Sequence, residues 1–267
     1  MSAWRSALGD GATIAQRNLI KVRRVPDLLV GTLISPIMFI LLFVYVFGSA
    51  IPVPAGTSYA EFLVPGIFAQ TVIFGATVTG SGLADDMQKG IIDRFRSLPI
   101  APSAVLVGRT TSDVLTNVLV VLIMVVTGLV VGWRITTSPL EALAGFALLL
   151  LFAYACSWVM ALVGLLVRSP EVFNNVSFIV IFPITFIANT FVPTQGFPTV
   201  LRVIADWNPV SAVTQASRDL FGNPSLAGGS DAWPLQHAAL YTLIWSVVLV
   251  AVFLPLATRQ FKRSAAR

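Results

Sequence analysis

Six nearly uncharged, mostly apolar stretches recur along the chain, at 28–47, 62–84, 114–133, 140–167, 172–192 and 237–257. A helix needs about 20 such residues to cross the hydrocarbon of a bilayer, so each reads as a membrane-spanning helix. The fourth is long enough to tilt. The pattern predicts an all-α membrane protein with six transmembrane helices, as one domain covering 1–267.

The polar intervals are as informative as the spans. In residues 1–26, Trp4, Leu8, Ala12, Ala15, Leu19 and Val22 recur at helical spacing, with Arg5, Arg17, Lys21 and Arg24 largely off that face. Such a helix lies in the membrane interface, although a solvated leader with a chance apolar stripe has the same composition. The interval 193–236 holds two short amphipathic segments broken at Asn208-Pro209. Neither is long enough to cross, which predicts a re-entrant or surface-lying outer hairpin.

The interval 85–113 carries more charge than any other interval between spans, with Asp85, Asp86, Lys89, Asp93, Arg94, Arg96, Arg109 and Asp113. Pro99 and Pro102 limit helix continuation, so Gly90 to Leu98 forms a short separate helix. Its apolar positions are Ile91, Ile92, Phe95 and Leu98. Ser103 is placed to cap a following helix that begins in the cytoplasm and runs into the third span. Mixed aromatic and arginine content suits a docking knob for a soluble protein; a plain positive-inside anchor is the other reading.

Composition agrees with the spans. The 267 residues are 56% hydrophobic and only 11% charged, with a mean hydropathy of +0.86, whereas soluble domains carry about 25% charged residues. The net charge of +5 reports topology and not nucleic acid, because the basic residues sit beside the spans. The leader, the 85–113 loop, Arg168 and the tail hold fourteen of the seventeen Lys and Arg. The opposite loops hold only Arg134, Arg202 and Arg218. By the positive-inside rule both termini are cytoplasmic.

Several chemistries find no residues to carry them. Nothing matches the phosphate-binding GxxxxGK[ST] pattern, and a lone histidine, His237, excludes a histidine-rich metal site. Cys156 has no partner for an internal disulfide. The span centres lack the Asp, Glu, Lys or Arg that ion-coupled carriers use. Uphill transport by this chain therefore requires energy from another protein. Within the spans, Gln70, Thr71, Thr77, Asn174, Asn175, Thr185 and Asn189 seek partners away from lipid. Phe68, Phe74, Phe178, Phe182 and Phe186 accompany them, either along a pathway or as ordinary packing.

The run GIIDRFRSLPIAPSAVLVGR (Gly90 to Arg109) resembles the cytoplasmic loop of ABC-2 type exporter permeases, especially the daunorubicin-resistance class of bacterial drug efflux permeases. A second run, FPITFIANTFVPTQGFPTVLRVIADWNPVSAVTQASRDL (Phe182 to Leu220), is similar to that family's fifth span and outer hairpin. Ile91-Ile92 departs from relatives that often carry a smaller polar residue there. The resemblance implies a multi-pass permease of the bacterial plasma membrane, paired with a second permease copy and a separate cytoplasmic ATPase subunit. ATP and Mg would bind that subunit, so this chain would hold no cofactor and is not itself an enzyme. It implies a coupling site at Gly90, Ile91, Asp93, Arg94, Phe95, Arg96, Leu98 and Pro99. A substrate pathway is implied along Gln70, Phe74, Phe178, Phe182 and Asn189, with an outer gate at Phe191 and Pro193. The implied cargo is a hydrophobic drug or lipid-like compound. A polysaccharide permease of the same superfamily and a channel or scaffold without ATP coupling are the alternatives.

Overall fold

The computed structural model describes residues 26–48, 51, 58–92, 102–223 and 231–263, with the backbone alone at 26–33 and 102–104. The expected leader helix lies outside the described residues, apart from Pro26. So does the loop segment Asp93, Arg94, Phe95, Arg96, Leu98 and Pro99.

Every regular element among the described residues is helical. Helix α1 is Pro26–Leu42, continued by a π-helical turn, Phe43–Phe47. Helices α2 (Tyr59–Gly75) and α3 (Thr77–Gln88) follow nearly end to end; then come α4 (Pro102–Val130), α5 (Pro139–Leu166) and α6 (Pro170–Ile187). A 3-10 turn at Thr194–Gly196 leads to α7 (Thr199–Asp206), α8 (Pro209–Phe221), α9 (Trp233–Gln236) and α10 (Ala238–Arg263). Among the described residues, five helical segments are long and apolar enough to cross a membrane: Tyr59–Gln88, Val105–Val130, Pro139–Leu166, Pro170–Ile187 and Ala238–Arg263. The region of the first expected span contributes a shorter apolar stretch, Ile34–Phe47.

Local chemistry sets the helix ends. Ser58 with Glu61, and Ser138 with Glu141, form reciprocal capping boxes at the starts of α2 and α5. Ser169 caps α6 and Asn208 caps α8, each followed by a proline at the first helical position. Helix α3 gives way at Lys89 to Gly90, whose φ of 65° is a left-handed conformation open to glycine at little cost. Helix α4 starts at Pro102, well before the expected third span at 114, so Arg109 and Asp113 are helical residues and not loop charges. The helix carries them because both charges find partners on α3.

Helix α5 is the hub, packed against α10, α3, α8 and α4. It approaches α3 so closely that a Cβ on Gly164 would overlap the backbone of Gly80. Two large apolar clusters result, beside a minor one at Leu148, Ala216 and Ala238. The larger includes Phe68, Trp133 and Phe221, whose rings meet edge to face at 5.2–6.3 Å. The smaller sits at the end bearing Gly90 and joins Leu83, Ile92, Leu106, Trp158, Leu165 and Phe261.

Candidate functional site

Helix α6 presents phenylalanines four residues apart, which places Phe178, Phe182 and Phe186 on one face. Their rings stack at 5.0 and 4.0 Å. The column continues through Phe191 at 4.8 Å and Phe43 at 4.7 Å, linking α6 to the end of α1. Between this column, α1 and the α2–α3 rod lies a cavity of about 390 Å³. Its walls include Phe39, Gln70, Phe74, Thr77, Phe178 and Phe182. Among the described residues no charged side chain lines it, and its size falls in the range of small-molecule pockets, about 300–1,000 Å³.

The structure thus brings together Gln70, Phe74, Phe178 and Phe182, and leaves Asn189 elsewhere. Gln70 is buried, Phe74 half-buried, and Phe178 and Phe182 are partly open at the surface of α6. Thr71 and Phe186 join the lining. Thr185 instead turns its hydroxyl onto the Ile181 carbonyl of its own helix, 2.9 Å away. Asn174 borders a smaller hollow beside Phe74 and Thr77, and Asn175 is exposed. Ser35, Pro36 and Phe39 line the cavity as well; an evenly apolar α1 gave no periodic signal of it.

Beyond the cavity the chain forms a tightly bonded cap. Phe191 is 4% exposed, and the Tyr59 hydroxyl donates to its carbonyl at 2.8 Å. Pro193 is half-buried and begins the 3-10 turn. The Asn189 amide N–H donates to Ser211 Oγ at 3.2 Å. Asn208 both caps α8 and donates through Nδ2 to the Ile184 carbonyl at 2.7 Å, across the bend that follows α6. At the other end of α8, Trp133 Nε1 donates to Asn223 Oδ1 at 2.7 Å, and Asn223 Nδ2 to the Arg134 carbonyl at 2.8 Å.

Arg218 anchors the centre of this cap. It is fully buried, and Nε donates to the Phe62 carbonyl at 2.9 Å. Nη2 donates to the Asn189 carbonyl at 2.8 Å and that of Thr190 at 3.3 Å. Burial pulls its pKa down to about 9, while Asp219 and Tyr59 act in the opposite sense. It stays a cation at neutral pH, shared among carbonyl dipoles and the Phe62 ring. Burial also raises the Asp219 carboxyl, against the Gln215 hydrogen bond and the Arg218 charge. Counting Arg218 among loop charges hid this role. Its neighbours on the wheel, Ser211, Thr214 and Gln215, make a polar face for this helix, and Arg218 lies at the centre of that face.

At the opposite end, Gly90 closes α3, Ile91 is half-buried and Ile92 is 2% exposed within the smaller cluster. Ile92 therefore packs the neck of the loop and adds nothing to an apolar docking surface, contrary to the sequence expectation. Lys89 Nζ donates to Asp85 Oδ2 at 2.8 Å, which holds the lysine above its ordinary pKa. Being exposed, that pair contributes little to stability.

The profile of the ABC-2 type transporter family matches residues 11–221. The chain is 32% identical over 261 residues to a daunorubicin resistance ABC transporter permease protein, DrrB1, of Streptomyces coeruleorubidus, covering 98% of this chain and 89% of the relative. It is 23% identical over 248 residues to a probable doxorubicin resistance ABC transporter permease protein, DrrC, of Mycobacterium tuberculosis, covering 92% and 86%. A putative transport permease, ycf38, of Porphyra purpurea shares 27% identity over 218 residues, covering 79% and 73%. Helices long enough to cross a bilayer and this relationship define a multi-pass membrane protein. The chain belongs to the ABC-2 type transporter family.

Proposed function

We propose that this chain is the membrane-spanning permease subunit of an ATP-driven exporter that moves a hydrophobic drug or lipid-like compound out of the cytoplasm or inner leaflet. The uncharged, phenylalanine-lined cavity between α1, the α2–α3 rod and α6 is the observation that carries this reading. Such walls select by shape and aromatic contact and hold no ion. Relatives named as drug resistance permeases along nearly the whole chain support it.

In this reading the stretch 28–47 is a sixth span, the leader lies in the interface and α7–α8 form the outer hairpin. Both termini face the cytoplasm of a bacterial cell, as the Lys and Arg asymmetry favours. A second permease copy completes the translocation path. A separate cytoplasmic subunit binds ATP and Mg and seats on Gly90, Ile91, Asp93, Arg94, Phe95, Arg96, Leu98 and Pro99. Gln70, Phe74, Phe178 and Phe182 contact cargo, and Asn189, Phe191 and Pro193 belong to the outer closure. ATP drives transport only through different affinity for two permease conformations.

Gentle detergent extraction from the native membrane, followed by identification of co-purifying chains, tests the proposal. Recovery of a P-loop ATPase whose hydrolysis responds to this chain is the expected result. Isolation of the chain alone, with transport indifferent to ATP, contradicts it.

A further inference from the structure

The charged residues that open α4 do not face water. Arg109 and Asp113 carry only 15% and 9% side-chain exposure. Arg109 Nη1 lies 3.3 Å from Oδ2 of Asp86 on α3, and its Nε lies 3.6 Å from Oδ2 of Asp113 one turn further along α4. The Thr79 hydroxyl on α3 donates to that same Asp113 oxygen at 2.5 Å. Arg109 Nη2 also reaches the backbone carbonyl of Val78 at 3.5 Å.

The surrounding residues are shaped for this network. A Cβ on Gly82 would overlap the Arg109 guanidinium, and one on Gly75 would overlap the Asn117 side chain. Positions 75, 79, 82 and 86 on one rod therefore face 117, 113 and 109 on α4, in an antiparallel seam of glycines and polar groups. Spacings of three and four keep each set on one helical stripe. The same turn of the rod forms a cavity wall, since Phe74, Gly75, Thr77 and Val78 line the 390 Å³ space. Asp86 and Arg109 also stand at the neck of the loop, on the elements that leave it and re-enter it.

An apolar seam between two spans slides easily, because its contacts are non-directional. A seam of charge-assisted bonds with fixed partners resists slippage: moving one turn strands each charge in a poorly solvating interior. We propose that Arg109 and Asp113 are positioning residues that lock α3 to α4 as one lever, so that movement at the loop neck reaches the cavity wall at Phe74–Val78. The inference rests on the permease reading. It adds the residues that make coupling stiff, and it assigns a task to Asp113, which lies outside the cavity lining.

The test uses the full chain with its ATPase partner in proteoliposomes, scored as hydrophobic dye moved per ATP hydrolysed. Arg109→Glu places a third acid beside Asp86 and Asp113, and should lower that ratio about tenfold while the ATPase still co-purifies. Adding Asp86→Arg restores an opposite-charge pair across the seam and should recover most of the loss. A single variant with the wild-type ratio, or a double variant no better than Arg109→Glu alone, overturns the proposal. A second measurement needs no seam variant. Spin labels at positions 87 and 107, in a Cys156→Ser background, should keep one separation with and without ATP; a change on ATP binding also overturns it. A wild-type chain that moves no dye with ATP refutes the permease reading instead.

Discussion

The guanidinium of Arg218 lies 3.7 Å from the centre of the Phe62 ring while its Nε donates to the carbonyl of that same residue. One side chain thus grips both the ring and the backbone of a residue 156 positions away. The contact joins the entry of α2 to α8, and the Asn189 and Thr190 carbonyls bring in the end of α6. Arg218→Ala would strand these acceptors and leave a hole, at a cost of about 3 kcal/mol. Arg218→Lys retains the charge but loses the planar fork, so it should recover only part of that loss. Thermal unfolding of the purified chain in detergent checks both.

The same residue gives a pH signature. Its folded pKa of about 9 lies well below the ordinary arginine value, so between the two the unfolded chain binds a proton that the folded chain does not. Stability from this group should therefore rise as pH climbs through that window, with the full burial penalty present below about pH 9. The difference between wild type and Arg218→Met, measured from pH 8 to 11, isolates the effect. Parallel curves would show that Arg218 does not titrate there.

In the cavity, Phe178 and Phe182 form one stacked wall opposite Phe74. Phe182→Ala should raise the apparent KM for an aromatic cargo about tenfold, the loss of roughly 1.4 kcal/mol of contact. Gln70→Leu keeps the volume and removes the buried amide, so it should shift preference among cargoes more than overall rate. Transport assays with a panel of hydrophobic dyes separate the two outcomes.

Two glycines make a matched pair for backbone strain. Gly90 and Gly222 both have positive φ, at 65° and 71°. A Cβ at Gly90 meets nothing among the described residues, whereas one at Gly222 would overlap the Thr136 hydroxyl that donates to the Gly222 carbonyl. Gly90→Ala should therefore cost only about 1 kcal/mol, the conformational penalty alone. Gly222→Ala should cost clearly more, because it also breaks the tie between α8 and the start of α5. Paired melting curves give the ranking.

The apolar runs made the helices legible, because length and lack of charge are local properties. The polar ends were harder. Arg109, Asp113 and Arg218 have the composition of loop charges, and only tertiary partners such as Asp86, Thr79 and the Phe62 carbonyl reveal them as interior. An early start of α4 was legible from the prolines, although Pro102 opens the helix and Ser103 lies inside it; the depth of charge it carries inward was not. Phe74, Phe178 and Phe182 share a cavity because α6 lies alongside the α2–α3 rod, a placement that spacing along either helix does not encode. Asn189 looks equally suited by type, yet the chain turns extended at Ala188 and takes it into the cap.

The most direct test of the account is ATP-dependent movement of a hydrophobic fluorescent compound by this chain and its co-purified ATPase in proteoliposomes. The account predicts uptake that requires ATP and Mg, fails without this chain, and falls sharply when Phe95 and Arg96 are both replaced by alanine. Equal uptake without ATP, or with the doubly substituted chain, would contradict it.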